Sequence, residues 1–314
     1  MSKHPVVVVN SFTKVYGDRA KIGPIDLTVY EGAAFGLVGP NGSGKTTTLR
    51  AILGLLKPTG GKVSVYGLDP YNHPEKVNQK IGYSPEIPTY PPFFTAEKLL
   101  RVTCGMKQIF GRDADNEVRR ILDLTGLVNH ADRKIGNFSK GMVQRLSIGQ
   151  ALVGDPPLLV LDEPMLGVDP VGRTHIRDVF LELRKQGKTI IFSSHELYEV
   201  QRLSDRVAMI YKGKTVFEDM VTNILSNSRQ AQVVAELGST PDGKLAKALG
   251  EITGVLEVSS EANTVIIRID PILDPREKIA ETIVKLGYGL RELKLSQTSL
   301  EEVFINKVRE SVGG

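Results

Sequence analysis

Residues 39–46 read Gly-Pro-Asn-Gly-Ser-Gly-Lys-Thr, the pattern G-x-x-x-x-G-K-[ST], with the apolar run AAFGLV before it and the helical TTTLRAILGLL after it. Strand, glycine-rich turn and helix in that order leave little freedom. The strand belongs in a buried sheet, the turn needs backbone that glycine adopts readily, and the helix N-terminus aims its free N–H groups at whatever the turn encloses. Converging N–H groups and a favourable helix dipole suit phosphate oxygens. Gly39, Pro40, Asn41, Gly42, Ser43 and Gly44 then form the cradle, Lys45 reaches the β- and γ-phosphates, and the Thr46 hydroxyl ligates magnesium. A glycine-rich surface turn explains the string but not its flanks.

Two further segments belong with this loop. Leu158-Leu159-Val160-Leu161-Asp162-Glu163 is an apolar strand ending in two carboxylates, and ligands of α/β sheets bind at strand ends. Alone, such a run is more often a strand meeting solvent. Beside a phosphate loop, Asp162 reads as the magnesium carboxylate, and Glu163 as the group that orients and deprotonates the water attacking the γ-phosphate. His195 closes the strand KTIIFSS, so it reaches the same sheet edge, where its imidazole can donate to a γ-phosphate oxygen. His4, His73, His130 and His175 have no comparable setting and are assigned to surface or core.

From about residue 6 to 220, short β-branched runs alternate with amphipathic segments, which predicts an α/β fold with a mainly parallel sheet. The expected core strands are Ala34–Val38, Ile81–Ser84, Leu158–Leu161, 189–193 and Arg206–Tyr211. Strand signals vanish between 95 and 133, where apolar residues recur at helical spacing, so a helical subdomain is expected as an insertion over about 88–136. The remainder, 228–314, runs strand, helix, strand, strand, helix, strand, the order of a small ferredoxin-like α+β module. The expected division is thus 1–227 and 228–314.

Composition narrows the function classes. Forty Lys+Arg against 36 Asp+Glu give a net charge of +4, too small an excess over 314 residues to imply nucleic acid as a partner. The single cysteine, Cys104, cannot form an internal disulfide or a cysteine cluster for zinc, and is expected in the core. No apolar run approaches the ~18 residues of a spanning helix, and the N-terminal valines are too few for a signal peptide. A cytoplasmic protein is expected, with any membrane role exercised through a partner.

The segment Asn137-Phe138-Ser139-Lys140-Gly141-Met142-Val143-Gln144-Arg145 sets serine and glycine before a helical stretch. Ser139 there is either an ordinary helix cap or part of a phosphate site, and spacing does not choose. Taken together and in order, Tyr16, the loop from Gly39 to Thr47, IGYSPE ending at Glu86, FSKGMVQR, LLVLDEP, Gly167-Val168-Asp169-Pro170 and His195 resemble the ATP-binding subunits of ATP-binding cassette (ABC) transporters, over roughly residues 5–225. The resemblance implies a P-loop NTPase core that binds ATP and Mg²⁺ and works as a head-to-tail dimer. Ser139 and Gly141 of one subunit would cap the ATP on the other's loop, Tyr16 would stack on adenine, Thr47 would complete the loop, and Asp169 would lie at the shared site. Glu86 stands where the family usually has glutamine, beside metal and attacking water. Together with SKGM in place of SGGQ, and the tail LSQTSLEEVFINKV, it resembles the branch serving sodium extrusion and antibiotic resistance.

These features imply an ATPase that drives a separate membrane permease, in the direction of export, held by that permease at the inner face of the membrane. The rival reading is an ABC-fold ATPase of translation or DNA repair. One phosphate loop and no heptad insertion disfavour it, and no N-K-x-D segment suggests a GTPase. The segment EIPTYPPFFTAEKLL, with Pro85, Pro88, Pro91, Pro92, Tyr90, Phe93 and Phe94 in or beside it, is stiff and apolar. It either packs the insertion onto the α/β body or docks the permease.

Overall fold

The computed structural model describes residues 4–17, 20–227, 231–270, 273–296 and 300–312. The chain divides into two compact units, Met1–Met220 and Val221–Gly314. In chain order the first contains strand β1 (Pro5–Tyr16), β2 (Ala20–Tyr30), β3 (Ala34–Val38), helix α1 (Lys45–Ile52), β4 (Gly60–Val65), α2 (Pro74–Asn78) and β5 (Ile81–Ser84). It continues with α3 (Ala96–Met106), α4 (Gly111–Leu124), α5 (Lys140–Ala151), β6 (Leu158–Leu161), α6 (Pro170–Lys185), β7 (Thr189–Ser194), α7 (Leu197–Leu203), β8 (Arg206–Tyr211) and β9 (Lys214–Met220).

Six strands form the central sheet in the order β5-β6-β7-β3-β8-β9. All neighbours are parallel except β9, which runs antiparallel to β8. Every residue of β3, β6 and β7 is buried, as continuous Val/Ile/Leu/Phe runs require when both faces of a parallel sheet are covered. A separate antiparallel sheet, β2-β1-β4, departs from the βαβα pattern expected for this stretch. Its longest strand, β1, shifts register between Val9 and Phe12, so apolar alternation in the sequence is interrupted there. Phe12, Ile25 and Val63 from this sheet share one core with Leu49 and Ile52 of α1 and Leu37, Val160 and Ile191 of the central sheet. The loop before α1 is thereby fixed from below.

The helical region holds its own core, with Leu100 and Cys104 from α3, Val118 and Ile121 from α4, and Met142 and Leu146 from α5. It therefore extends beyond 136 to include α5. That helix is buried on both sides, with Gln144, Ser147, Ile148 and Gly149 covered as well as its apolar residues, so it belongs to the insertion and to the sheet at once. Cys104 is fully buried, and burial pushes its thiol pKa up, which makes it an inert packing residue.

The second unit begins with α8 (Val221–Asn227), which the sequence had assigned to the first domain and which packs against the C-terminal helix. Residues 228–230 and 297–299, at the expected boundary and in the tail motif, lie outside the described residues. Between them come β10 (Ala231–Leu237), α9 (Gly243–Gly250), β11 (Val255–Glu261), β12 (Thr264–Ile269), α10 (Arg276–Lys285) and β13 (Leu290–Ser296), followed by α11 (Leu300–Val312). The sheet order β11-β12-β10-β13, antiparallel throughout, gives the βαββαβ ferredoxin-like arrangement. Among the described residues no helix is long and apolar enough to cross a membrane.

Gly82 in β5 marks where α5 meets the sheet: a Cβ there would lie 1.9 Å from the Ala151 carbonyl oxygen. Gly82→Ala is expected to lower unfolding free energy by about 3 kcal/mol, read from urea denaturation, whereas Gly42→Ala, which meets nothing, pays only for its positive φ.

Candidate functional site

The loop between β3 and α1 is built on glycine conformations. Gly39, Gly42 and Gly44 have φ of 155°, 75° and 115°, and a Cβ on Gly39 would strike the Ile210 carbonyl oxygen of β8 at 2.0 Å. Gly44 starts α1 with no side-chain cap, so the helix keeps its free N–H groups for another acceptor. The Ser43 hydroxyl is buried and has no hydrogen-bond partner. An uncapped helix start beside an orphaned hydroxyl is what a phosphate-binding cradle requires.

The two carboxylates at the end of β6 lie against this loop. Asp162 is 1% exposed. Its Oδ1 accepts from the Ser193 hydroxyl at 2.6 Å and from the Thr46 hydroxyl at 3.3 Å. Glu163 is 6% exposed and adopts φ of 45°, a left-handed conformation costing about 1–3 kcal/mol for a non-glycine residue. Its N–H donates to Ser193 Oγ at 2.8 Å, which fixes the turn. Lys45 Nζ donates to the Gly39 carbonyl at 2.8 Å and lies 3.2 Å from Glu163 Oε1. That last approach is an ion contact without good hydrogen-bond alignment. His195 Nδ1 is 2.9 Å from Glu163 Oε2. Lys45, Thr46, Asp162, Glu163 and His195 are thus one connected group.

Ser193 is the residue that the sequence reading missed. It joins Asp162 to the Glu163 backbone from the end of the neighbouring strand. Its only signal was a pair of small hydroxyls, Ser193 and Ser194, at a strand end before a histidine.

A second group forms at the N-termini of α5 and α6. Ser139 caps α5 by accepting from the Met142 N–H at 3.2 Å, so the cap reading holds for its side chain here. Ser139 remains exposed at the surface while Gly141 is buried, with an added Cβ 3.2 Å from Val168 and 3.5 Å from the Asp169 carboxylate. Asp169 caps α6 through the Gly172 N–H at 2.9 Å, and that bond holds its carboxyl below the usual range. Among the described residues no hydrogen bond runs directly between this group and the phosphate loop. Tyr16 ends β1 and is 43% exposed, and Glu86 sits half-buried beyond the end of β5. Neither has a direct hydrogen bond or ion pair to either group among the described residues. Pro40, Asn41 and Gly42 are exposed along the loop, and Thr47 is half-buried on the first turn of α1.

The aromatic segment divides. The Tyr90 hydroxyl donates to Gln150 of α5 at 2.9 Å, and Tyr90 and Phe94 pack on the helical core. Phe93 is 66% exposed, set edge-on to Phe94 with ring centroids 5.3 Å apart.

The chain is similar, in sequence and in fold, to named proteins. The sequence profile of the ABC transporter family matches residues 22–166. The bacitracin transport ATP-binding protein of Bacillus licheniformis is 30% identical over 304 residues, covering 96% of this chain and 97% of that protein. The Nod factor export ATP-binding protein I of Burkholderia orbicola is 33% identical over 292 residues, covering 93% of each. Among solved structures, an ATP-binding cassette of an ABC transporter in its ADP conformation superposes with a TM-score of 0.62, at 26% identity, over 71% of this chain and 96% of its own. A dimeric bacterial ABC transporter cassette does so with a TM-score of 0.62, at 26% identity, over 68% and 98%. The chain belongs to the ATP-binding proteins of ABC transporters, P-loop ATPases that bind nucleotide.

Proposed function

We propose that two copies of this chain, arranged head to tail, hydrolyse ATP to drive an integral membrane permease in export, and that the permease holds them at the inner face of the membrane. The observation that carries the reading is the linked group Lys45–Glu163–His195 beside Thr46 and Asp162, placed at the carboxyl ends of parallel strands under an uncapped helix start. The curated relatives named for bacitracin transport and Nod factor export lend support to the direction.

In this reading Gly39 to Thr47 wrap the triphosphate, with backbone N–H groups and Lys45 on its oxygens. Thr46 and Asp162, with Glu86 from the end of β5, would hold Mg²⁺. A hydroxyl and carboxylates are hard oxygen donors, and this ion takes few protein ligands beside substrate phosphates. Magnesium, when bound, neutralises charge on the β- and γ-phosphates. Glu163 orients a water and takes its proton as the water oxygen bonds to the γ-phosphorus and the bond to the ADP oxygen breaks. His195, held by Glu163 Oε2, is aimed to donate to a γ-phosphate oxygen. Ser139, Gly141 and Asp169 of one copy would close over the nucleotide on the other, and Tyr16 would offer its exposed ring to adenine.

Glu163→Gln keeps the size and an acceptor for Lys45 but cannot take a proton. Turnover is expected to fall about 10²–10⁴-fold while ATP affinity persists, measured by phosphate release and by calorimetric titration. Wild-type turnover in this variant would remove Glu163 from the role of base. Lys45→Ala is expected instead to weaken nucleotide binding itself.

Phe93 is the aromatic left free to anchor a permease helix, and Phe94 is not. Phe93→Ala should leave the ATPase of the isolated subunit near normal and reduce co-purification with its membrane partner from detergent. Unchanged capture at matched expression would place the docking surface elsewhere.

The second unit, Val221–Gly314, carries none of the residues assigned to hydrolysis. We assign it an accessory role in dimerisation or regulation. A chain ending at Met220 is expected to bind ATP with unaltered affinity; a folded product, by circular dichroism, that has lost binding would show that the unit contributes to the site.

A further inference from the structure

Arg173, in the first turns of α6, makes contacts that the hydrolytic roles above do not use. Its Nε donates to the Val168 carbonyl at 3.0 Å, one residue before Asp169. Its two terminal nitrogens donate to both carboxylate oxygens of Glu196, at 2.7 Å for Oε1 and closer still for Oε2. Glu196 follows His195 directly. The Arg173 and Glu196 side chains are 24% and 32% exposed, so the pair is partly withdrawn from water, and a forked guanidinium gives it a fixed geometry. Arg173 holds the Glu196 carboxyl below the usual range, and the nearby His195 adds to this.

The neighbouring contacts make this more than a surface ion pair. One turn further along α6, Arg177 grips Glu199 of α7 at 2.8 and 3.0 Å, and Glu199 is 3% exposed. The chain from Glu163 to Val168 is itself folded into turns, with Leu166 N–H donating to the Glu163 carbonyl at 3.1 Å and Val168 N–H to the Met165 carbonyl at 3.3 Å. Glu196 N–H donates to Ser194 Oγ at 2.9 Å, which tightens the residues around His195. A closed ring results. It runs from the Glu163 carboxylate to His195, to Glu196, to Arg173, to Val168, and back through two turns to Glu163.

We propose that Arg173 is a positioning residue: by clamping Glu196 to the Val168 carbonyl it sets His195 against Glu163 and ties the placement of His195 to that of Asp169. The inference rests on the roles proposed for Glu163 and His195. A ring holds its shape only while each link is made. Loss of the fork frees the 195–196 segment and the 164–169 loop together, without altering the phosphate loop. A misplacement of this kind costs turnover more than ground-state binding.

The test compares Arg173→Gln, Arg173→Lys, Glu196→Gln and the double variant Arg173→Gln/Glu196→Gln in the full chain. Arg173→Gln should lower kcat about tenfold to a hundredfold, with KM and calorimetric affinity for ATP near parent values. Arg173→Lys, which keeps the charge but not the fork, should fall between. The double variant should be no worse than the worse single one, because both remove one link. Independently of turnover, the His195 ring resonance, assigned by its loss in His195→Gln, should move or broaden in Arg173→Gln without nucleotide. An unchanged kcat or an unchanged His195 resonance would overturn the proposal. So would a kcat loss matched by equal losses of ATP affinity and thermal stability, which would make Arg173 a general packing residue. Wild-type turnover in Glu163→Gln would instead overturn the underlying assignment of the base and leave the ring contacts without their catalytic meaning.

Discussion

A carboxylate as buried as that of Glu163 needs partners, and the rest of the site is arranged to supply them. Lys45 approaches one oxygen and His195 the other, from two different strand-to-helix connections of the central sheet. Removing Lys45 would leave the buried carboxylate poorly compensated, a loss of about 3–5 kcal/mol for a buried pair. The left-handed backbone at Glu163 is held by the Ser193 hydroxyl, which also donates to the Asp162 carboxylate, so one serine contacts both acidic residues. The sheet order makes this possible. β7 lies between β6 and β3, so the strand that carries Ser193 and leads to His195 runs beside both the acidic doublet and the strand that enters the phosphate loop.

Much of this was legible in the sequence, and the reason is burial. β3, β6 and β8 fall where apolar runs place them, because strands covered on both faces leave little room for polar residues. The phosphate loop could be read because glycine at 39, 42 and 44 answers to backbone angles few other residues adopt. The antiparallel sheet was harder to see, since β1 changes register midway and its two faces trade places in the sequence pattern. α5 merges two regions that the sequence separated, because most of its residues are covered and no exposed polar face marks its boundary. Ser193, Arg173 and Glu196 were hard to see for another reason. Their meaning lies in partners on other elements, at separations of 31 residues for Ser193 with Asp162 and 23 for Arg173 with Glu196, and no local spacing encodes those pairings.

Ser139 and Gly141 stand with Asp169 at the starts of two helices, apart from the hydrolytic group, and no hydrogen bond among the described residues joins them to the phosphate loop directly. A serine exposed at a helix N-terminus has donors to offer and its own cap already made. In the proposed reading each copy carries two half-sites, and a head-to-tail pair would bring the unlike halves together. Gly141 packs close enough to Val168 and Asp169 that an added Cβ would be crowded there. The ring through Arg173 is the link by which that half could feel the state of the other.

Mixing two inactive variants tests the central claim, that each hydrolytic centre is completed by a second copy of the chain. Glu163→Gln disables the phosphate side of a site and Ser139→Arg the capping side. In a head-to-tail heterodimer one of the two sites inherits both lesions and the other neither. The variants are expected to be inactive separately and to recover ATP hydrolysis when mixed, with recovery rising as heterodimers form. Full silence of the mixture, with heterodimers demonstrated by light scattering and differential tagging, would contradict it.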